Sequence, residues 1–266
     1  MLSIVVLNYN RLEYTRQTVQ NLIDITTVKH EFIFVDNGSI DGTREYLKSL
    51  EYITNAEKVI YVFNDRNLGV AGGRNSGLKH ASGDYLMTID DDIIAPLGYD
   101  GYFVEACDKV TKLGITGLNT EGNKVFKIHI INGVKLLIKS KGNLGGGCLC
   151  LPRRVFEQVG YYRADFIYGG EDCDMYNRVV SVLGLISGYI VPPALHIDKN
   201  TNVRYADLKR RSHKLTSPQY NLMANNANRY KKGSIDVYVP YMEPEETEMV
   251  ERFDQAIKGH EDGSDS

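Results

Sequence analysis

Along the first ninety residues, short apolar runs alternate with segments of helical spacing. Leu2–Leu7 is a continuous, β-branched apolar run, which predicts a strand buried on both faces. Tyr14–Ile25 sets Val19, Leu22, Ile23 and Ile25 near a 3.6-residue period and predicts a helix. The alternation continues with a strand at Glu31–Val35, a helix at Thr43–Leu50 and a strand at Val59–Phe63. A helix at Ala71–His80 and a strand at Tyr85–Ile89 close this half. Buried strands separated by helices imply an α/β fold with a mostly parallel central sheet flanked by helices.

From Asp100 to Lys141 the pattern is mixed, and Lys124–Ile131 with Gly133–Ile138 predicts a hairpin. A strand at Cys148–Leu151, helices at Arg153–Val159 and Asp172–Leu183, and a strand at Ile186–Val191 follow. Beyond about Asn200 helical patches lack core periodicity, so a short helical or irregular C-terminal extension is expected, ending in disorder over Gly259–Ser266. No internal repeat is present. Ligands of such sheets bind beyond the carboxyl ends of the strands, so the residues just after each strand carry the interest.

Composition narrows the function classes. With 266 residues, 42% of them hydrophobic, the chain forms one large domain, alone or with a small appendage. Its four cysteines (Cys107, Cys148, Cys150, Cys173) form no C-x-x-C pair and are too few for a disulfide scaffold. They read as small buried hydrophobes, with Cys148 and Cys150 on one face of a strand. The opening MLSIVVLNYN lacks a basic region and a cleavable apolar segment, and Val182–Leu195 is broken by Gly184, Gly188, Pro192 and Pro193. A soluble, unprocessed, cytoplasmic protein with at most peripheral membrane contact is therefore expected.

The formal charge of −3 conceals a partition. Residues 199–232 carry nine Lys/Arg against one acid, Asp207, whereas residues 233–266 carry ten acids against two bases. A basic segment is present, masked in the average by an acidic tail.

Four groups carry candidate chemistry. Asp90-Asp91-Asp92 directly follows a strand; three adjacent carboxylates repel unless offset, and hard oxygen ligands suit Mg²⁺ or Mn²⁺. A solvated turn is the alternative. Gly169-Gly170-Glu171-Asp172-Cys173-Asp174 lets the backbone approach a ligand and sets acids at a helix start, as caps or as a general base. His196 follows a late strand as a structural imidazole or an additional metal ligand. Asn67-Leu68-Gly69-Val70-Ala71-Gly72-Gly73-Arg74-Asn75 begins a helix with small residues, yet matches neither a dinucleotide fingerprint nor a P-loop.

In order along the chain, Ser3–Arg11, Val35-Asp36-Asn37-Gly38-Ser39 with Asp41-Gly42-Thr43, Asn67–Asn75, Asp90-Asp91-Asp92 and Glu171-Asp172-x-Asp174 resemble family 2 glycosyltransferases of the GT-A fold. Arg153–Gly160, continuing through Glu171-Asp172, Arg178 and Gly184 to His196, is similar to the rhamnosyltransferase-like branch. The Gly-Gly-Glu-Asp cluster is similar to one in galactosyltransferases and polypeptide N-acetylgalactosaminyltransferases. The resemblance covers about residues 1–198. It implies a catalytic domain there, with a nucleotide-binding half near 1–98 and an acceptor half near 99–198, followed by the 199–266 segment.

The resemblance also implies roles. Asn8, Tyr9, Arg11 and Asp36 would hold the nucleoside, with Asp36 accepting from a uracil or thymine imide. Asn67, Gly69 and Arg74 would add to the nucleotide site, and Asp90 and Asp91 would contact the ribose or the metal's surroundings. Asp92 and His196 would ligate Mn²⁺ or Mg²⁺. Asp172 would be the catalytic base, beside Glu171. Tyr168, Gly169 and Gly170 would meet the acceptor; Tyr168 replaces a tryptophan common in such relatives, and the chain has none. Arg204, Lys209, Arg210, Arg211 and His213 are expected to close over the diphosphate as a lid.

The expected activity is inverting, metal-dependent transfer from a UDP- or dTDP-sugar to a glycan, lipid-linked intermediate, protein or modified nucleic acid. A silent sugar-nucleotide or glycan-binding module is the alternative from another class. A sugar-nucleotide pyrophosphorylase is disfavoured, because Asn8-Tyr9-Asn10-Arg11 stands where those enzymes place a Gly-rich loop.

Overall fold

The computed structural model describes residues 1–50, 55–120, 126–139, 143–164, 169–191, 193–198 and 228–242. The alternation read from the sequence is observed: β1 (Leu2–Asn8), α1 (Leu12–Ile25), β2 (His30–Asp36), α2 (Thr43–Lys48), β3 (Lys58–Phe63), α3 (Gly69–Leu78) and β4 (Tyr85–Asp90). After a two-residue strand β5 (Ile93–Ile94) come α4 (Tyr99–Lys109) and β6 (Leu113–Leu118). The hairpin forms as β7 (Phe126–Ile131) and β8 (Val134–Lys139). Then follow β9 (Cys148–Pro152), α5 (Arg153–Val159), α6 (Glu171–Tyr176), β10 (Ile186–Ile190) and β11 (Leu195–His196). The helix expected over Asp172–Leu183 changes winding midway, continuing from α6 as a π-helical segment at Asn177–Val182.

Nine strands make one sheet in the order β3-β2-β1-β4-β9-β6-β10-β8-β7, and β11 pairs with β5 separately. The β3-β2-β1-β4 half is wholly parallel. Beyond it the sheet is mixed: β9 runs antiparallel to both β4 and β6, β10 is parallel to β6, and the hairpin is antiparallel. Every residue of β1 and β2 is buried, which explains runs without polar alternation. One core cluster unites α1 and α4 with one sheet face, through Val19, Leu22, Tyr99 and Phe103. The other packs α3, α5 and α6 on the opposite face, through Ala71, Val155, Val159 and Met175. Cys107, Cys148 and Cys150 are buried and all four cysteines are free thiols.

From β1 the chain winds one way to β2 and β3, then crosses back to place β4 on the other side of β1. The rim beyond β1 and β4 is thus a topological switch point, where a crevice opens. Register places Leu7 beside Asp90 and Asn8 beside Asp36, so the segments after β1, β2 and β4 leave the sheet at one level.

Residues 228–242, past the expected boundary at 198, pack on the same body. Val239 donates to Val159 O (2.8 Å) and accepts from Tyr161 N–H (2.9 Å). Tyr230 donates to Asp174 Oδ1 (2.7 Å), whose other oxygen takes Arg178 Nε–H (2.8 Å). Asp174 therefore anchors this strap. Gly160 allows its approach: φ is +71°, and a Cβ there would lie 2.0 Å from Val239 O. Gly160→Ala is expected to destabilise the fold by about 2–3 kcal/mol, combining left-handed strain with a displaced strap. Urea unfolding measures this; a midpoint equal to the parent's would contradict the packing.

Candidate active site

A cavity of about 370 Å³ opens at the switch point, lined by residues from the ends of β1 and β4, the start of α3, the β8–β9 connection, the start of α6 and β11. It gathers Tyr9, Arg11, Asn67, Gly69, Arg74, Asp90, Asp91, Asp92, Gly169, Gly170, Glu171, Asp172 and His196, all expected at the site. Its lining holds six carboxyl side chains against two guanidinium groups and one imidazole.

Two arginines organise those acids. Arg11, between β1 and α1, donates from Nη1 to Asp92 Oδ2 (2.6 Å) and Asp198 Oδ2 (3.4 Å), and from Nη2 to Asp91 Oδ1. Asp91 also accepts from Tyr9 N–H (3.2 Å). His196 Nε2 lies 3.0 Å from Asp92 Oδ2, brought there by β11 pairing with β5, in which His196 faces Ile93. Arg74, on α3 and 1% exposed, reaches Glu171 Oε1 (2.9 Å), Asp90 Oδ1 (2.7 Å) and Gly146 O (2.8 Å). It faces the carboxylates of two separate motifs and links the β4 rim to the start of α6.

The electrostatics follow from burial. Burial and then the negative charges of Asp92 and Asp90 push Asp91 up to about 7, against the pull of Arg11. Burial and the neighbouring Asp172 likewise push Glu171 up to about 7, although Arg74 pulls it down. Burial also acts on Asp92, but hydrogen bonds from His196 and Arg11 outweigh it and hold the carboxyl below its ordinary range. The hydrogen bond to Asp92 raises the His196 imidazole above its ordinary value, outweighing the opposing effect of burial.

Asp172 is half-buried on the cavity wall; its Oδ1 accepts from Cys173 N–H (2.7 Å) and its Oδ2 lies 3.3 Å from Asn143 Nδ2. Glu171 is 4% exposed, and its Oε2 is buried without a hydrogen-bond partner among the described residues. Of the pair, Asp172 is the more accessible to a substrate.

Asn8 and Asp36 are buried and are not among the residues lining the cavity. The Asn8 amide donates to Val6 O (2.9 Å) and Val35 O (3.0 Å), latching β1 to β2. Asp36 is fully buried and accepts from Arg44 Nε–H (2.7 Å) and Ser39 N–H (3.2 Å). Tyr168, Arg204, Lys209, Arg210, Arg211 and His213 lie outside the described residues.

Other site residues carried weaker sequence signals. Asn37 lines the cavity and ties β2 to α3, donating to Asn67 Oδ1 (2.9 Å) and Gly69 O (3.0 Å) while accepting from Leu68 N–H (3.1 Å). Gly146 and Gly147 line it too; their signal was the run Gly145-Gly146-Gly147. Asp198 stands two residues after His196, a spacing that keeps both on one side of an extended chain.

A divalent cation fits this donor set. Among the described residues no group of three or more His, Cys, Asp or Glu side chains forms a metal cage. One carboxylate oxygen and one imidazole nitrogen do converge, at Asp92 and His196. Mg²⁺ and its analogues are commonly held by one or two protein groups, with substrate phosphates and waters completing the sphere.

Residues 3–127 match the family model described as glycosyl transferase family 2. Poly-β-1,6-N-acetyl-D-glucosamine synthase of Staphylococcus aureus is 30% identical over 172 residues, covering 60% of this chain and 41% of that protein. The putative teichuronic acid biosynthesis glycosyltransferase TuaG of Bacillus subtilis is 35% identical over 92 residues, covering 35% of this chain and 36% of its own length. The chain thus spans about two fifths of the curated relatives it matches. Among solved structures, a mannosyltransferase from Pyrobaculum calidifontis in complex with GDP-Man and Mn²⁺ aligns with a TM-score of 0.59 at 17% identity, over 79% of this chain and 60% of that one. S. aureus TarS 1–349 in complex with UDP aligns with a TM-score of 0.57 at 13% identity, over 79% and 64%. These structural likenesses show the fold. No helix among the described residues is long and apolar enough to cross a membrane.

Proposed function

The chain carries a family 2 glycosyltransferase domain over residues 3–127, and from that premise we propose that it transfers a sugar from a nucleoside diphosphate donor, a UDP- or dTDP-sugar, to an acceptor hydroxyl with inversion. The charge of the cavity carries this reading. Six carboxyl groups outnumber the arginines and histidine that face them, so a diphosphate enters only with a divalent cation. Solved GT-A neighbours whose names include Mn²⁺ with GDP-Man or UDP support the same pairing.

In this reading Asp92 and His196 would hold Mn²⁺ or Mg²⁺, and Tyr9, Asn67 and Gly69 bound the nucleotide side of the cavity. When bound, the cation supplies Lewis-acid stabilisation of the leaving diphosphate. Arg74 holds Asp90 and Glu171 in place. Asp172 takes the acceptor hydroxyl proton as that oxygen bonds to the anomeric carbon. The bond from that carbon to the phosphate oxygen breaks on the opposite face, and the nucleoside diphosphate leaves with the electron pair. Gly169 and Gly170 border the acceptor side.

A thermal-shift screen of UDP-, dTDP- and GDP-sugars in Mn²⁺ tests the donor assignment. A ligand at 100 times its Kd stabilises by about 2.7 kcal/mol, which for a domain of this size is roughly 5–10 °C. A shift with a uridine or thymidine donor, with release of nucleoside diphosphate in a hydrolysis assay, is expected. Binding without release would identify a silent binding module. No shift with any of the three would overturn the donor reading.

A further inference from the structure

The position of Arg11 has a consequence beyond donor binding. Its side chain is 7% exposed and contacts three carboxylates, Asp91, Asp92 and Asp198, whose own side chains are at most 5% exposed. The contact is built from two directions. Arg11 leaves the end of β1, whereas Asp198 arrives with β11, whose pairing to β5 includes a bond from Ile197 N–H to Asp92 O (2.9 Å). Asp92 Oδ2, the oxygen assigned above to the cation, is also the oxygen that accepts from Arg11 at 2.6 Å and lies 3.0 Å from His196 Nε2.

We infer that Arg11 is the built-in counter-cation of the Asp91–Asp92–Asp198 cluster and makes divalent-cation binding depend on the nucleotide diphosphate. This inference rests on the metal-dependent reading above and deepens it. Without nucleotide, the guanidinium already neutralises Asp92 and occupies the oxygen a metal needs. A metal bound to that oxygen would sit within a few ångströms of a fixed positive charge in a largely buried site, where screening is weak. A diphosphate adds negative charge that faces both cations, so the repulsion that opposes the metal alone is offset once the nucleotide is present. Linkage requires the converse: the metal raises nucleotide affinity by the same factor that nucleotide raises metal affinity. Arg11 thereby offsets part of the cavity's negative charge at the oxygen a metal would use and disfavours capture of free metal there.

The test is a Mn²⁺ titration of the full chain, read from the loss of the free-ion EPR signal, without nucleotide and with saturating UDP, dTDP or GDP. For the parent, nucleotide is expected to tighten Mn²⁺ at least tenfold. Arg11→Met removes the charge while keeping an unbranched side chain. It is expected to tighten nucleotide-free Mn²⁺ binding at least tenfold and to shrink the nucleotide effect correspondingly. Arg11→Lys retains the charge and should keep the parent's coupling.

Unchanged or weaker nucleotide-free binding in Arg11→Met would overturn the inference while leaving the metal site standing. If that variant does not fold, the parent still decides: equal Mn²⁺ affinity with and without every nucleotide overturns the dependence. Absence of Mn²⁺ binding under all conditions would remove the metal reading itself, and the inference with it.

Discussion

Asp172→Asn is expected to lower the rate of sugar transfer roughly 10²–10⁴-fold, the range in which a positioned general base contributes, while leaving nucleotide affinity within about twofold. The two effects separate because of where the side chain sits. Its Oδ1 accepts from Cys173 N–H (2.7 Å), an interaction that the Asn carbonyl preserves, and its Oδ2 lies 3.3 Å from Asn143 Nδ2, on the α6 side of the cavity and not among the Arg11, Asp92 and His196 contacts. The nucleotide side of the cavity is therefore undisturbed. Glu171 is the internal rival, since a carboxyl raised to about 7 has the right proton affinity for a base near neutral pH. Geometry decides against it: Glu171 is 4% exposed and one oxygen is held by Arg74. Glu171→Gln, measured in parallel for kcat and for nucleotide Kd, discriminates. Loss of turnover in Glu171→Gln with near-parental rates in Asp172→Asn would transfer the base role to Glu171.

The parallel half was legible because its strands are covered on both faces, so β1, β2 and β4 read as plain apolar runs. The turns after them stand out by contrast, and Tyr9, Asp90 and Asp92 lie at those turns. The second half lacked that contrast. In α4, Tyr99, Phe103, Ala106 and Cys107 do face the core, but Gly101 and the polar residues between them obscured the period. Gly114 and Gly117 weakened the strand signal of β6. The small residues of α3 serve packing on the sheet, since a Cβ at Gly73 would lie 2.5 Å from Leu7 Cδ1 and one at Gly77 2.4 Å from Val5 Cγ1. Asn8 and Asp36 stand in recognisable motifs, and their hydrogen bonds tie strands and loops together. The family resemblance marks these residues as nucleoside contacts, whereas the bonds they make to neighbouring strands and loops depend on three-dimensional pairing that no motif displays. The convergence of Asp198 on Arg11 depends on β11 pairing with β5, two strands of two residues each that carry no periodic signal.

Arg74→Met is expected to cost about 3–5 kcal/mol of stability, the usual consequence of removing one partner from a buried ion pair. Methionine fills similar space, so the loss is chiefly electrostatic. Arg74 is 1% exposed and lies between Asp90 and Glu171, with its third bond to Gly146 O and its guanidinium 5.6 Å from the Tyr162 ring centroid. Without it, two carboxyls raised by burial lose the charge that opposes their protonation. Protonation relieves an uncompensated buried carboxylate, so the deficit should be smallest in mild acid. Glu171 titrates near 7 with Arg74 present and higher without it, so the variant binds protons over a range where the parent has released them. Stability of the variant relative to the parent should therefore fall as pH rises from about 6 to 8. Urea unfolding at pH 6 and pH 8 measures both effects. A deficit that is equal at the two pH values, or that narrows with rising pH, would mean that packing against Tyr162, and not charge balance between the β4 rim and the start of α6, is what Arg74 supplies.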